Sequence, residues 1–87
     1  MYWDDIGFLK ANKLSRKIIE FLESTKGPVT PLEISKATDI ARSNVSTQLI
    51  ELRKRDLVVC LNPKARKGRL YTVTDKGRKV LKNIKEI

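Results

Sequence analysis

The spacing of the apolar residues changes twice along this chain, and that change constrains the fold more than any other feature. Before residue 53 apolar residues recur every three or four positions, which is the period of a helix with one buried face. Residues 57–61 and 69–74 are extended, β-rich runs, and helical spacing returns after residue 74. A chain of 87 residues has room for one small core. The pattern therefore predicts a single domain over residues 1–87 of the α+β class, mainly helical with a small β-hairpin.

Three helices are predicted ahead of the hairpin. The first covers about residues 11–25. The second is short, about residues 31–37, and starts at a capping box: Thr30 is the N-cap, a proline follows it, and Glu33 lies three residues further on. The third begins near residue 41 or 42, after a tight turn that contains no glycine. Two short helices joined in this way form a helix-turn-helix.

The third predicted helix, about residues 42–55, has an apolar face and a polar face. The residues that we assign to the core at this helical spacing are Val45, Leu49 and Leu52, with Ile50 beside them. The preceding short helix has Leu32, Ile34 and Ala37 available for burial. The side chains that remain on the outward face are Arg42, Ser43, Asn44, Ser46, Thr47 and Gln48.

The predicted hairpin has a strongly basic tip over residues 62–69, and a last amphipathic helix follows it over residues 75–87. The cations of the tip are Lys64, Arg66, Lys67 and Arg69. Gly77 inside the last helix costs about 1 kcal/mol relative to alanine. A close backbone approach by a neighbouring element would explain this glycine, and simple tolerance is an equal alternative.

The net charge of +9 is confined to one part of the chain. Residues 1–52 carry seven basic and seven acidic groups, whereas residues 53–87 carry twelve basic and three acidic groups. A localised basic excess is the electrostatic footprint of a nucleic-acid binder, although lysine-rich surfaces also serve solubility alone.

The same composition argues against several classes of protein. The chain has no histidine and a single cysteine, Cys60, which we interpret as a small buried hydrophobe, so neither histidine-based nor metal-dependent catalysis is expected. We expect no enzymatic activity and no cofactor. There is no apolar run of about 18 residues, and the first residues are acidic where a signal peptide is basic. We therefore expect a soluble, cytoplasmic protein that does not enter a membrane.

The first ten residues crowd five large apolar side chains together, and these must be buried somewhere: Tyr2, Trp3, Ile6, Phe8 and Leu9. Either the segment covers the core of its own domain or it meets a second copy in a dimer. The sequence leaves both alternatives open.

Three short segments resemble one family of DNA-binding proteins. Residues 45–52 read Val-Ser-Thr-Gln-Leu-Ile-Glu-Leu and resemble the recognition helix of ArsR/MarR-type regulators, in which Val-Ser-x-x-Leu-x-x-Leu is usual. Residues 55–58 stand where those proteins usually have Lys-Gly-Leu-Val or Lys-Gly-Leu-Ile, with Asp56 in place of the glycine. Residues 69–77 are similar to Arg-x-Tyr-x-Leu-Thr-x-x-Gly at the end of the family's wing. Asp56 tolerates a left-handed backbone better than most non-glycine residues, so the resemblance survives this departure.

The resemblance implies a winged helix-turn-helix transcriptional regulator of prokaryotic or archaeal type. In such a protein the recognition helix enters the major groove, and the basic wing, residues 62–69, contacts the minor groove or the backbone. The implied DNA-binding residues are Thr30, Arg42, Ser43, Asn44, Ser46, Thr47, Gln48, Lys64, Arg66, Lys67 and Arg69. The family also implies a homodimer, and the candidate interface residues are Tyr2, Trp3, Phe8, Leu81 and Ile84. The recognition helix lacks cysteine, so sensing of a metal effector by thiolates on that helix is not expected.

Two other functions stay open at this point. A winged helix can serve as a protein-contact module of the transcription machinery, which a wing without basic residues would have favoured. Association with double-stranded RNA or the ribosome is a third hypothesis, because charge alone does not separate RNA from DNA.

Overall fold

The computed structural model describes residues 2–25 and 27–85. In chain order the elements are α1 (Trp3–Ala11), α2 (Lys13–Ser24), α3 (Pro31–Thr38), α4 (Arg42–Lys54), β1 (Val58–Cys60), β2 (Tyr71–Val73) and α5 (Asp75–Lys85). This order confirms the predicted mainly helical fold with one small hairpin. The end of the predicted last helix, residues 86 and 87, lies outside the described residues.

The N-terminal segment is a helix of its own, which the sequence did not predict. Asn12 separates α1 from α2, since its backbone is extended (φ −116°, ψ 92°) and its side chain accepts a hydrogen bond from the Ser15 backbone N–H at 3.2 Å. Asn12 is thus the N-cap of α2, a position that asparagine favours. The predicted helix over residues 11–25 therefore begins two residues later than expected.

The core is built around α2, which packs against α1, α3, α4 and β2. Its residues Ile18, Ile19 and Leu22 are fully or almost fully buried. On α1, Ile6 and Leu9 are buried against the same core, so part of the N-terminal apolar segment covers its own domain. Burial of such side chains supplies the main stabilising free energy of a domain this small.

The helix-turn-helix forms as its capping signals predict. Thr30 is the N-cap of α3 with Pro31 after it, and the Thr30 hydroxyl oxygen accepts from the Glu33 backbone N–H at 3.2 Å. The turn after α3 needs no glycine, because Asp39 takes the left-handed position that a glycine would otherwise occupy, with φ at 61°. Asp39 is a residue type that enters this region more readily than most.

The hairpin follows a second left-handed residue, Asp56, whose φ is also 61°. This backbone confirms that Asp56 adopts the left-handed conformation expected where the proteins that this segment resembles usually have glycine. The strands pair antiparallel, with Val58 opposite Val73 and Cys60 opposite Tyr71. A single residue, Val29, extends the sheet by exchanging two backbone hydrogen bonds with Tyr71, of 3.0 and 2.8 Å. The sheet thus fastens the hairpin to the segment that leads into α3.

Gly77 is explained by a close approach, which settles the alternative that the sequence left open. A Cβ at this position would overlap the carbonyl oxygen of Leu57 and lie 2.7 Å from a methyl group of Val73. The Leu57 oxygen cannot easily retreat, because it accepts the Thr74 backbone N–H at 3.0 Å.

We expect Gly77→Ala to lower the free energy of unfolding by about 1–3 kcal/mol, the usual cost of an overpacked site. The matched control is Gly7→Ala in α1, where a Cβ meets no atom within 4 Å. There, the helix propensity of alanine should raise stability by up to about 1 kcal/mol. Urea unfolding of both variants checks this pair, and equal effects at the two glycines would contradict the explanation.

Candidate nucleic-acid interface

Helix α4 has a buried face and a broad exposed face. Val45, Leu49 and Leu52 are buried, as predicted. Ser43 and Thr47 lie farthest from that buried face, and both are exposed. Helix α4 follows Ala41, which makes no side-chain capping hydrogen bond, so the first backbone N–H groups are left for an external acceptor.

A groove of about 590 Å³ runs between α3, α4 and the hairpin tip. Five of its lining side chains are cationic and none is acidic; the cations are Arg42, Arg53, Arg66, Lys67 and Arg69. Arginine and lysine side chains carry a positive charge at neutral pH, so the groove presents positive charge from both α4 and the hairpin tip.

The structure brings most of the predicted DNA-binding residues into this region. Those that line the groove are Thr30, Arg42, Ser46, Arg66, Lys67 and Arg69. Ser43 and Thr47 are exposed next to it on α4, and Asn44 is exposed on the other flank of that helix, one turn before Gln48. Lys64 is exposed on the hairpin tip without lining the groove.

Gln48 differs from the others because hydrogen bonds hold it to another part of the domain. Its side chain is half-buried, and its amide oxygen accepts hydrogen bonds from Asn12 Nδ2 at 3.0 Å and from the Ser15 hydroxyl. Both donors belong to the start of α2, which packs on the side of α4 away from the groove. Gln48 is therefore engaged inside the domain, and the helical pattern of polar residues did not reveal this.

The basic tip has a defined shape because one asparagine holds it closed. Asn62 Oδ1 accepts the Leu70 backbone N–H at 2.7 Å, and its Nδ2 donates to the Gly68 carbonyl oxygen at 3.2 Å. Arg69 contributes as well, since its Nε donates to the Ala65 carbonyl oxygen at 2.8 Å. Arg69 thus braces the tip in addition to placing charge beside the groove.

Three residues with large exposed side chains line the groove although the sequence did not assign them to DNA contact. The first is Arg53, which lies seven residues after Ser46 and eleven after Arg42. This spacing places all three residues on one helix face, so the sequence contained the signal for it. The other two are Leu32 and Ile50, which were expected in the core and are 42% and 54% exposed. For these two the expectation was wrong, because α3 and α4 leave this side open to the groove.

Several cations of the basic C-terminal part are paired away from the groove. Asp5 on α1 is buried and lies 3.2 Å from both Arg55 Nη1 and Lys76 Nζ, through its two different oxygens. Arg78 pairs with Glu23 and Asp75 at 3.1 and 3.0 Å. The positive charge that faces the groove therefore comes from α4 and the hairpin tip, and only part of the net +9 lies there.

The residues predicted for a dimer interface are divided. Leu81 and Ile84 are buried in the core of their own chain. Phe8 is half-buried, with the Arg55 guanidinium 4.0 Å from the centre of its ring. Trp3 is 65% exposed and Tyr2 is 36% exposed. Of these five side chains, Trp3 and Tyr2 are the ones exposed on the surface of one chain.

Among the described residues, no helix combines the length and the apolar character that crossing a membrane requires.

Solved structures of transcription regulators are similar to this chain. A MarR family transcription regulator is 26% identical, with a TM-score of 0.73 over 83% of this chain and 48% of its own. Wild-type MarR from E. coli, in its apo form, is 19% identical, with a TM-score of 0.77 over 92% of this chain and 62% of its own. The transcriptional repressor CouR, solved bound to a 23-mer DNA duplex, is 30% identical, with a TM-score of 0.70 over 80% of this chain and 49% of its own. The chain spans about half the length of most of these regulators.

Comparison at the level of sequence identifies a family. No curated protein matches the chain. The winged helix-turn-helix family matches residues 15–87, which include most of α2 and every element after it. Together with the capped helix-turn-helix, the hairpin and the MarR-like structures, this match shows that the chain belongs to the winged helix-turn-helix family.

Proposed function

We propose that this protein is a sequence-specific DNA-binding transcriptional regulator. The observation that carries the proposal is the groove between α3, α4 and the hairpin tip, which is lined by five cations and no acid. Double-stranded DNA presents closely spaced phosphates, and cations that neutralise them supply affinity for any sequence. The bound DNA duplex in the CouR structure, a protein with the same fold, supports the proposal.

The exposed face of α4 has the side chains that the reading of bases requires. In our proposal its N-terminal half enters the major groove, so that Asn44 and Arg42 face base edges together with Ser43, Ser46 and Thr47. Asparagine pairs bidentately with adenine, arginine with guanine, and the hydroxyls with either. Ile50 adds an exposed apolar side chain, of the kind that contacts a thymine methyl group.

The hairpin tip is the second contact. Lys64, Arg66 and Lys67 are exposed there, and in our proposal they follow the minor groove or its phosphates. The hydrogen bonds of Asn62 and Arg69 hold the tip in shape before binding, which lowers the entropy lost on association.

The experiment is a salt titration of binding to random duplex DNA and to duplex RNA of the same length. We expect DNA binding with a logarithmic slope of about −0.9 for each phosphate contacted, so six contacts give roughly −5. A-form RNA has a major groove too narrow and deep for a helix, so weaker RNA binding is expected. Undetectable DNA binding at low salt contradicts the proposal. Tighter binding to duplex RNA than to duplex DNA would also contradict it and would make RNA the ligand of the domain.

The protein is further proposed to act in the cytoplasm as a homodimer on a site of roughly two-fold symmetry. Exposed Trp3 and Tyr2 support the dimer, because large aromatic side chains dominate the free energy of protein interfaces.

We expect Trp3→Ala to weaken dimerisation about 30-fold, which corresponds to a buried aromatic worth about 2 kcal/mol. Sedimentation over a range of protein concentrations measures this change. Leu61→Ala, which truncates another exposed apolar residue on the hairpin, is the control and should leave the dimer intact. If the wild-type protein stays monomeric at every concentration measured, the proposed dimer is wrong.

A further inference from the structure

We propose that Gln48, together with Asn12 and Ser15, sets the orientation of α4, and that this partly buried polar network determines DNA sequence selectivity without touching DNA. The inference rests on the proposed function and adds positioning residues to it. It also replaces the sequence-based hypothesis that Gln48 itself contacts a base.

Three hydrogen bonds join these three residues to one another. Gln48 Oε1 accepts from Asn12 Nδ2 at 3.0 Å and from the Ser15 hydroxyl, and Asn12 Oδ1 accepts the Ser15 backbone N–H at 3.2 Å. Ser15 is completely buried, so it cannot reach a ligand. Asn12 and Gln48 are 36 residues apart, so the set joins the first turn of α2 to the middle of α4.

The network differs in kind from the other contacts between these helices. Val45, Leu49 and Leu52 hold α4 by apolar burial, which is not directional and tolerates small rotations of a helix about its axis. Hydrogen bonds have narrow angular limits. Gln48 follows Val45 by three residues and precedes Leu52 by four, at the edge of the buried face. It is thus placed to fix the rotation that the apolar contacts leave free.

A rotation of α4 about its axis should disturb contacts to bases more than contacts to phosphates. A bidentate contact to a base edge requires side chains held within about 0.5 Å and 10–20° of the productive geometry. The long arginine and lysine side chains of the groove can follow a phosphate through a larger displacement. Loss of the network should therefore lower selectivity and leave sequence-independent affinity in place.

The test begins with selection of preferred sites from a random duplex pool by the wild-type protein. Affinities for the selected duplex and for a shuffled duplex are then measured with Gln48→Met, Ser15→Ala and the double variant. We expect each single variant to lose about tenfold in the ratio of the two affinities, the effect of one or two hydrogen bonds. The double variant should lose no more, because both substitutions remove the same network. The salt slope on the shuffled duplex should stay at the wild-type value.

Two further variants make the result specific. Asn12→Ser keeps a good N-cap for α2 but is too short to reach Gln48, so it tests the network if Ser15→Ala fails to fold. Thr47→Val changes the exposed face of α4 and should alter preference at one or two base positions, with an effect that adds to that of the network. Thermal unfolding of each variant is measured first, so that binding is compared at a temperature at which all variants are folded.

The outcomes separate the two proposals. A wild-type protein that binds no duplex DNA overturns the proposed function and this inference with it. Selective binding that is unchanged by both Ser15→Ala and Asn12→Ser overturns the inference alone. If Gln48→Met selects sites that differ at one base position while Ser15→Ala selects the wild-type site, Gln48 contacts that base directly and the positioning role is wrong.

Discussion

Replacing Lys64, Arg66 and Lys67 together by alanine is expected to weaken binding to random duplex DNA about 10²-fold at 0.1 M salt. Each phosphate contact contributes about 0.9 to the logarithmic salt slope, so the triple variant should lose up to about 2.7 of it. The three side chains are exposed on the hairpin tip, which Asn62 and Arg69 hold in shape, so the fold should persist. Fluorescence anisotropy at several salt concentrations measures both quantities.

The control removes three cations from other surfaces. Lys10, Lys79 and Lys82 are exposed and do not line the groove, so their triple alanine variant has the same net charge as the hairpin variant. It should keep a salt slope within about one contact of the wild type. If both triple variants reduce the salt slope equally, the hairpin cations act only through the net charge of the protein, and the proposed wing contact is wrong.

Asp5→Asn is expected to lower the free energy of unfolding by about 2–3 kcal/mol. Asp5 is buried between two cations, so its loss leaves Arg55 and Lys76 partly buried without their counter-charge. Breaking a buried ion pair on one side costs about 3–5 kcal/mol, and the partial exposure of these two cations reduces the figure. Neighbouring contacts fix their positions: Arg55 stacks on Phe8, and Lys76 Nζ donates to the Arg55 carbonyl oxygen at 2.7 Å. The cations therefore cannot easily turn into solvent.

Asp4→Asn is the matched control for this prediction. Asp4 is the exposed neighbour of Asp5 in the first turn of the same helix, so both substitutions change the interaction with the helix dipole similarly. We expect Asp4→Asn to cost less than about 1 kcal/mol. Urea unfolding compares the two variants. Equal losses would mean that the Asp5 contacts contribute no stability of their own.

The local signals in the sequence anticipated the elements well. Thr30 and Glu33 marked the start of α3, and the change of apolar period marked the hairpin. Such signals depend on residues within a few positions of one another, and their physical causes are local: hydrogen bonding at a helix end and the geometry of a strand or helix face. The spacing of Arg42, Ser46 and Arg53 is a local signal of the same kind, and it places Arg53 on the helix face that carries the other two.

Helix α1 shows where local signals were insufficient. Its apolar residues identified a segment that requires burial, but not the surface that buries it. In the sequence Asp5 is one of two adjacent acidic residues near the N-terminus, whereas in the structure it pairs with residues 50 and 71 positions later in the chain. Nothing near Asp5 in the sequence specifies these partners.

The sequence by itself determined the kind of protein: the helix-turn-helix, the hairpin, and the confinement of excess positive charge to residues 53–87. Only the tertiary structure decided which polar and charged side chains face the groove. Thr47 and Gln48 are neighbours of similar polarity, yet one is exposed and the other is bonded to α2. Arg53 and Arg55 differ in the same way, one in the groove and one on Asp5. The reason is that each helix residue points about 100° from the last, and the element packed on each side depends on contacts between distant parts of the chain.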